Sequence, residues 1–290
     1  LRRSARPSIG AIVFWRATRI ILEQFRGMNS YQTVEKTFRI LELLATNAPL
    51  GVTEISNELG IEKSSVSRLL KTLFGLGYVV QSGHRGRYQL GPRLLYLGDC
   101  YLRENRLLKE AEPILQELAF ATRSSAHLAV RVGEQLMVLA KEPSPERIQV
   151  ASSIGSPVSP HASALGKVLL AGMDEKERQR FLPEELIPFT EHTIVDRRRL
   201  LEALDEVRRN GYALETSEEV MGVGCIAAPV RDSADRWIAA LSVSGPLHGT
   251  AFRQDARSIE LVVQKALALS ALMGYQPDPQ TRARMELLNR

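Results

Sequence analysis

The sequence predicts an α+β protein with an N-terminal winged helix-turn-helix, a linker helix and a C-terminal antiparallel sheet flanked by helices. Three observations carry this. Residues 53–91 run in order through a short helix (TEISNEL), a turn (GIEK), a second helix (SSVSRLLKTLFGLGYV) and a basic hairpin (VVQSGHRGRYQLG). The next thirty residues, up to Thr122, read as mostly helical. From residue 126 alternating, Val- and Leu-rich runs give way repeatedly to amphipathic helices.

In the first part, Val34, Phe38, Leu41 and Ala45 recur at helical spacing through SYQTVEKTFRILELLAT, and Asn47, Ala48 and Pro49 close that helix. Thr53 is the expected N-cap of the next helix, with Glu54 in its first turn, Ile55 and Leu59 inside and Gly60 as its stop. The following helix divides into two faces. Val66, Leu69, Leu70 and Leu73 form an apolar stripe, and Ser64, Ser65, Ser67, Arg68 and Lys71 lie off it. Hydroxyls and cations on the exposed face of a short helix suit docking in a DNA major groove. Tyr78-Val79-Val80 and Tyr88-Gln89-Leu90, around a Gly-containing turn, read as the wing. Lys63, Arg68, Lys71, Arg85 and Arg87 supply a local basic cluster, and His84 sits beside it.

Gly91-Pro92 breaks this pattern. PRLLYLGDCYLRENRLLKEAEPILQELAFAT follows, with Pro113 expected to divide or kink it. Leu94, Leu95, Leu97, Tyr101 and Leu102 are too apolar for a solvated linker, so a second copy of the chain or the C-terminal domain must cover them. AHLAVRV and EQLMVLAKE around Gly133-Glu134 read as a hairpin, and RIQVASSIG as a third strand. In SPHASALGKVLLAG, Ser159 is the expected N-cap and Pro160 the first helical residue. DEKERQRFL predicts a short helix. DRRRLLEALDEVRRNG predicts a long one capped by Asp196 and stopped by Gly211. GCIAAPVRD and RWIAALSVSG are buried strands, and RQDARSIELVVQKALALSALMGY is the last helix.

The composition excludes several classes. Hydrophobic residues at 44% and charged residues at 24% are those of a globular protein, and no apolar run approaches the length of a membrane span. Cys100 and Cys225 are too few for a disulfide framework or a metal cluster and fit a reducing compartment, which places the chain in the cytoplasm without membrane or cofactor. The net charge of +5 belongs to one segment. Residues 1–27 hold six arginines against Glu23, and removing these from the totals of 38 and 33 leaves 32 basic and 32 acidic residues. Met28 precedes the first domain, so residues 1–27 are expected to be translated upstream sequence or, if native, a poorly ordered basic arm. The expected divisions are thus this extension (1–27), the DNA-binding domain (28–91), the linker helix (92–105), a C-terminal domain (106–275) and a loose tail (276–290).

The order of five segments resembles the IclR family of bacterial transcriptional regulators: VEKTFRILELLA, SSVSRLLKTLFGLGYV with its wing, HASALGKVLLAG, NGYALETSEEVMGVGCIAAPV and IAALSVSGP. The match covers nearly all of Asn29 to Tyr275. The resemblance implies a GAF-like C-terminal domain that binds a small effector, and a dimer or tetramer acting on an operator in double-stranded DNA. By motif it places the effector among Ser163, Ala164, Glu215, Cys225, Ser242 and Ser244. Ser242 and Ser244 alternate on one strand and so face one side. Hydroxyls, amides at the start of the HASALGK helix and no buried cation suit an organic acid or a small polar aromatic. Glu215 stands where some members carry Asp, so effector identity does not transfer. Each of these residues also has a plain structural role open to it: buried serines bond backbone, Cys225 fills core, and His161 caps or faces solvent. Two other functions fit the sequence less well. An enzyme would need more than ALGK, which lacks the glycine and Ser/Thr of a phosphate loop, and more than a Cys225–His161 pair without an orienting group. A DNA-binding protein whose C-terminal domain only oligomerises would show no ligand response.

Overall fold

The computed structural model describes residues 32–83, 86–146, 152–248 and 252–277. The expected arm, the end of the tail, most of the RIQVASSIG strand, His84 and Arg85 lie outside these. The chain divides after Asn105 into two compact units.

The first unit opens with α1 (Gln32–Asn47), followed by β1 (Leu50–Gly51), α2 (Val52–Leu59), α3 (Lys63–Gly75), β2 (Val79–Gln81), β3 (Arg87–Leu90) and α4 (Arg93–Glu104). The two strands of the wing pair antiparallel, Val80 opposite Gln89, and β1 joins β3 as a third strand that the sequence had not revealed. Ile40, Leu43, Leu44, Ile55, Ile61, Val66, Leu70, Leu73 and Val79 form the core. The buried face of α1 is therefore Ile40, Leu43 and Leu44. Of the stripe read from the sequence only Leu41 packs against this core, while Val34 is 54% and Phe38 59% exposed. Helix α2 is capped by Gly51, not Thr53, and the Glu54 carboxylate accepts the Gly51 amide at 2.7 Å. Gly60 ends the helix at φ 64°, a conformation that glycine adopts without strain. No residue of α4 is buried, and Leu95, Tyr96, Leu97, Tyr101 and Leu102 stand open.

The second unit begins with α5 (Arg106–Thr122). The helical stretch breaks at Asn105, whose ψ of 101° leaves the helical region, and Pro113 lies inside α5 rather than at the break. There follow β4 (Ser125–Val132), β5 (Gln135–Glu142), α6 (Ala164–Ala171), α7 (Glu175–Phe181), α8 (Arg197–Asn210), β6 (Ala213–Thr216), β7 (Val223–Arg231), β8 (Trp237–Pro246) and α9 (Ala256–Leu272). The five strands form one antiparallel sheet in the order β5-β4-β8-β7-β6. Alternation along each strand splits its side chains between two layers. Leu128, Ile226, Ala228, Leu241 and Val243 pack against α5 and α9, while Ala129, Ala213, Ala227 and Ala240 pack against α6 and α8. Alanines on the second face let α6 lie close to the sheet.

Helix α6 starts four residues later than the sequence suggested. Ser163 is its N-cap, accepting from the Gly166 amide at 3.0 Å, and Ser159-Pro160-His161-Ala162 form a turn in front of it. The turn folds back onto Gly166, where a Cβ would come within 2.1 Å of the Ser159 carbonyl oxygen. That contact admits only glycine and fixes the turn over the helix.

Candidate functional site

In the first unit, the exposed face of α3 carries Lys63, Ser64, Ser67, Arg68 and Lys71, with Ser65 half-buried at its margin. Val66, Leu70 and Leu73 on the opposite face anchor the helix in the core. The polar face is thus presented by a helix whose rotation is fixed by packing. Arg87, where the turn of the wing enters β3, forms an ion pair with Glu54 and so is already engaged within the protein. The same arginine holds the Glu54 carboxyl below the usual carboxylate range, with help from the Gly51 amide. One carboxylate therefore both caps α2 and ties the wing to it.

In the second unit, the face of the sheet toward α6 turns polar at one end. Register sets Glu215 on β6 opposite Cys225 on β7, and Cys225 opposite Ser244 on β8. Ser242 lies opposite Ala227 on one side and His127 of β4 on the other. Glu215, Ser242 and Ser244 are buried, as are Ser163 and Ala164 at the start of α6. The structure thus gathers Glu215, Cys225, Ser242 and Ser244 on one face of three adjacent strands. The Ser244 hydroxyl is buried and has no hydrogen-bond partner among the described residues. The Ser163 hydroxyl differs: it donates to the Ser159 carbonyl at 2.7 Å and caps Gly166, so its hydrogen bonds serve the helix start. Of the amides at the start of the HASALGK segment, that of Ala162 donates to Ser159 Oγ at 3.3 Å.

Further residues join this site. Lys167, on the second turn of α6, is 3% exposed and pairs with Glu218, which follows β6. Lys141 on β5 is half-buried and donates to the Ser152 carbonyl at 3.1 Å. The expectation of no buried cation is thereby overturned: a lysine enters the interior here because a carboxylate neutralises it. Glu215 accepts the amides of Glu218 at 2.6 Å and Glu219 at 3.3 Å, and it bonds the Cys225 thiol. Burial pushes the Glu215 carboxyl up, and burial with the Glu215 charge raises that of Glu219 to about 7. Burial and Glu215 also push the Cys225 thiol well up, which removes it as a nucleophile at neutral pH. His127 is held down to about 3, by burial first and by Lys141 second, and its Nε2 meets Ser152 Oγ at 2.8 Å. His161 is buried at 3% exposure instead of capping or facing solvent. Its Nε2 lies 3.0 Å from the Ile187 carbonyl.

The sequence reading missed Lys167, Glu218 and Glu219 because nothing local marks them as buried. The lysine sits in HASALGK and the acids in ETSEEV, and only the fold brings them together across 51 residues. Among the described residues no group of His, Cys, Asp and Glu could hold a metal, and no helix is long and apolar enough to cross a membrane.

Comparison with known proteins agrees with this architecture. Residues 33–83 match the IclR helix-turn-helix domain, and residues 100–271 match the bacterial transcriptional regulator IclR C-terminal domain. The chain is 35% identical over 254 residues to the HTH-type transcriptional regulator KdgR of Dickeya chrysanthemi, covering 87% of this chain and 83% of that protein. It is similar to the crystal structure of an IclR transcriptional regulator from Alicyclobacillus acidocaldarius, with a TM-score of 0.74 at 27% identity over 84% of this chain and 100% of that one. An IclR homologue from Microbacterium hydrocarbonoxydans, solved as a complex with 4-hydroxybenzoate, shares the fold at a TM-score of 0.71 and 22% identity, over 83% of this chain and 98% of that one. With both of its units matched and in the same order, the chain belongs to the IclR family of DNA-binding bacterial transcriptional regulators.

Proposed function

We propose that this regulator works in the cytoplasm as a dimer, or a pair of dimers, on a pseudo-palindromic operator, and that a small organic acid changes its affinity for that operator. The observation that carries the effector half is the buried, unpartnered Ser244 hydroxyl on the same sheet face as Ser242, Cys225 and Glu215. A domain that only oligomerised would have no use for an unsatisfied hydroxyl in its interior. The Ser242 and Ser244 hydroxyls, with the Glu219 carboxyl raised to about 7, suit a carboxylate ligand. The Microbacterium homologue, with 4-hydroxybenzoate bound, supplies an instance of an acid on this fold. For the dimer, the support is the bare apolar face of α4 together with Val34 and Phe38 of α1, all in the first unit.

In this reading Ser65 and Arg68 touch bases, and Lys63, Ser64, Ser67 and Lys71 touch phosphates, with Arg85 and Arg87 contributing from the wing. Arg87 would reach a phosphate only by sharing its donors with Glu54 or leaving it. Arg68→Ala is expected to cost about 1–3 kcal/mol and to relax specificity at one base pair. Lys71→Ala should weaken binding to every sequence alike and reduce the salt slope by about one. Salt titrations on a mapped operator separate the two. If neither variant changes affinity, α3 is not the reading helix.

Coupling should appear as a change of about 5–150-fold in operator affinity when a binding acid is added. The measurement is calorimetry with a panel of small acids, paired with operator binding in the presence of each hit. Ser242→Ala and Ser244→Ala should weaken the acid while leaving ligand-free DNA binding intact. An acid that binds without moving operator affinity would rule out signalling by that acid.

A further inference from the structure

The turn before α6 and the loop after β6 hold two buried acceptors without a donor among the described residues. His161 Nε2 faces a carbonyl, which can only accept, so Nε2 carries the proton. The ring is kept neutral, chiefly by burial and also by the nearby Lys167 charge. Its Nδ1 is then an acceptor, and it is buried without a donor. Glu218 gives one carboxylate oxygen to Lys167, while the other, Oε2, is buried and also lacks a donor. The two residues belong to one cluster. Lys167 pairs with Glu218 and its charge acts on His161, and the neighbouring Glu219 carboxylate accepts the Ser159 amide two residues before His161. The Ser244 hydroxyl, a third unpartnered group, can donate or accept. Ser244 lies opposite Cys225, which bonds Glu215, and Glu215 in turn binds the amides of Glu218 and Glu219.

A plain carboxylate offers acceptors alone. It would leave His161 Nδ1 and Glu218 Oε2 as they are, and an unmet buried acceptor is costly to keep. A ligand with hydroxyl groups supplies the missing donors. Resting on the effector reading above, we infer that the effector is an aliphatic acid bearing at least two hydroxyls, and that His161 and Glu218 select it by accepting from them. An unsubstituted fatty or aromatic acid does not fit this donor requirement, however well it fills space. The Glu219 carboxyl, raised to about 7 chiefly by burial, lessens the repulsion that an acid would meet here.

The test uses the full chain and three matched pairs of acids: glycerate against propionate, threonate against butyrate, and gluconate against hexanoate, with benzoate as the aromatic control. Binding is measured by calorimetry, and operator affinity is measured with each acid present. At least one hydroxy acid should bind about tenfold or more tightly than its partner, the equivalent of one buried hydrogen bond. The apolar partners gain more from leaving water, so the comparison is weighted against the inference. In His161→Phe the preference should fall to within about threefold, and thermal unfolding shows whether that variant is folded; if it is not, the wild-type pairs decide the matter. If the unsubstituted acids or benzoate bind as well and shift operator affinity, the hydroxy-acid inference is overturned and the effector reading stands. A preference retained in folded His161→Phe overturns the role of His161. If no acid binds or moves operator affinity, both fall together.

Discussion

Lys167→Met is expected to destabilise the C-terminal unit by about 3–5 kcal/mol, because it leaves the Glu218 carboxylate buried without its cation. Lys167 is nearly excluded from water, and the ion pair it makes with Glu218 is shielded on both sides. Around it the protein has arranged little else to hold a negative charge. The Glu218 carbonyl is bonded by Thr193 at 2.6 Å, but that fixes the backbone, not the carboxylate. A unit of this size loses about 2–4 °C of melting temperature per kcal/mol, so the variant should melt on the order of 6–20 °C lower. The double variant Lys167→Met, Glu218→Leu removes the stranded charge and should recover most of the loss, since an apolar pair of similar volume often replaces a buried ion pair without cost. Thermal and urea unfolding of the three proteins gives the cycle. A loss below about 1 kcal/mol in the single variant would mean that water reaches Glu218 and that the pair is a surface bridge in its energetics.

Leu70→Ala is the second large effect, expected in the first unit at about 3–4 kcal/mol. Leu70 is fully buried and packs with Ile40, Leu44, Ile55, Val66 and Val79, so it joins α1, α2, α3 and the wing in one contact set. The core it serves is small, and such domains have total stabilities of about 5–15 kcal/mol. Truncation should therefore lower operator binding by depopulating the folded unit, although Leu70 lies on the buried face of α3, opposite the polar one. Arg68→Ala, two residues earlier on the exposed face, should leave stability within about 0.5 kcal/mol of wild type. The pair separates folding from recognition within one helix. Equal unfolding curves for wild type and Leu70→Ala would show that the core does not depend on this side chain.

The helices with a polar face could be located from their own periods, caps and stops. Asp196 and Gly211 bound α8 where the sequence put them, and Leu200, Leu204 and Val207, at helical spacing between them, are buried. Helix α1 was harder because it is apolar on two sides. Val34 and Phe38 repeat as regularly as Ile40 and Leu44, and only the partners decide which side is inner. The start of α6 was misread for a related reason. Ser159-Pro160 is as good a local start as Ser163, but the close approach to Gly166 turns the first four residues out of the helix. In the candidate site, alternation showed that Ser242 and Ser244 share one face, while their choice came from the family motif. The roles of His161, Lys167 and Glu218 were not, because their burial follows from contacts 26 to 51 residues away in sequence. Arg87 shows the same limit. The sequence marks it as a cation on a wing, and the fold supplies Glu54 across 33 residues.

The Glu54 carboxylate ends one helix and holds one strand, and this ties two distant positions into a single unit of inheritance. A chain that loses Glu54 loses the Gly51 amide's partner and the Arg87 anchor together, so neither position can drift alone without loosening the wing. Among related sequences with this domain, positions 54 and 87 should therefore change as a pair: acid with base, or both at once to something else.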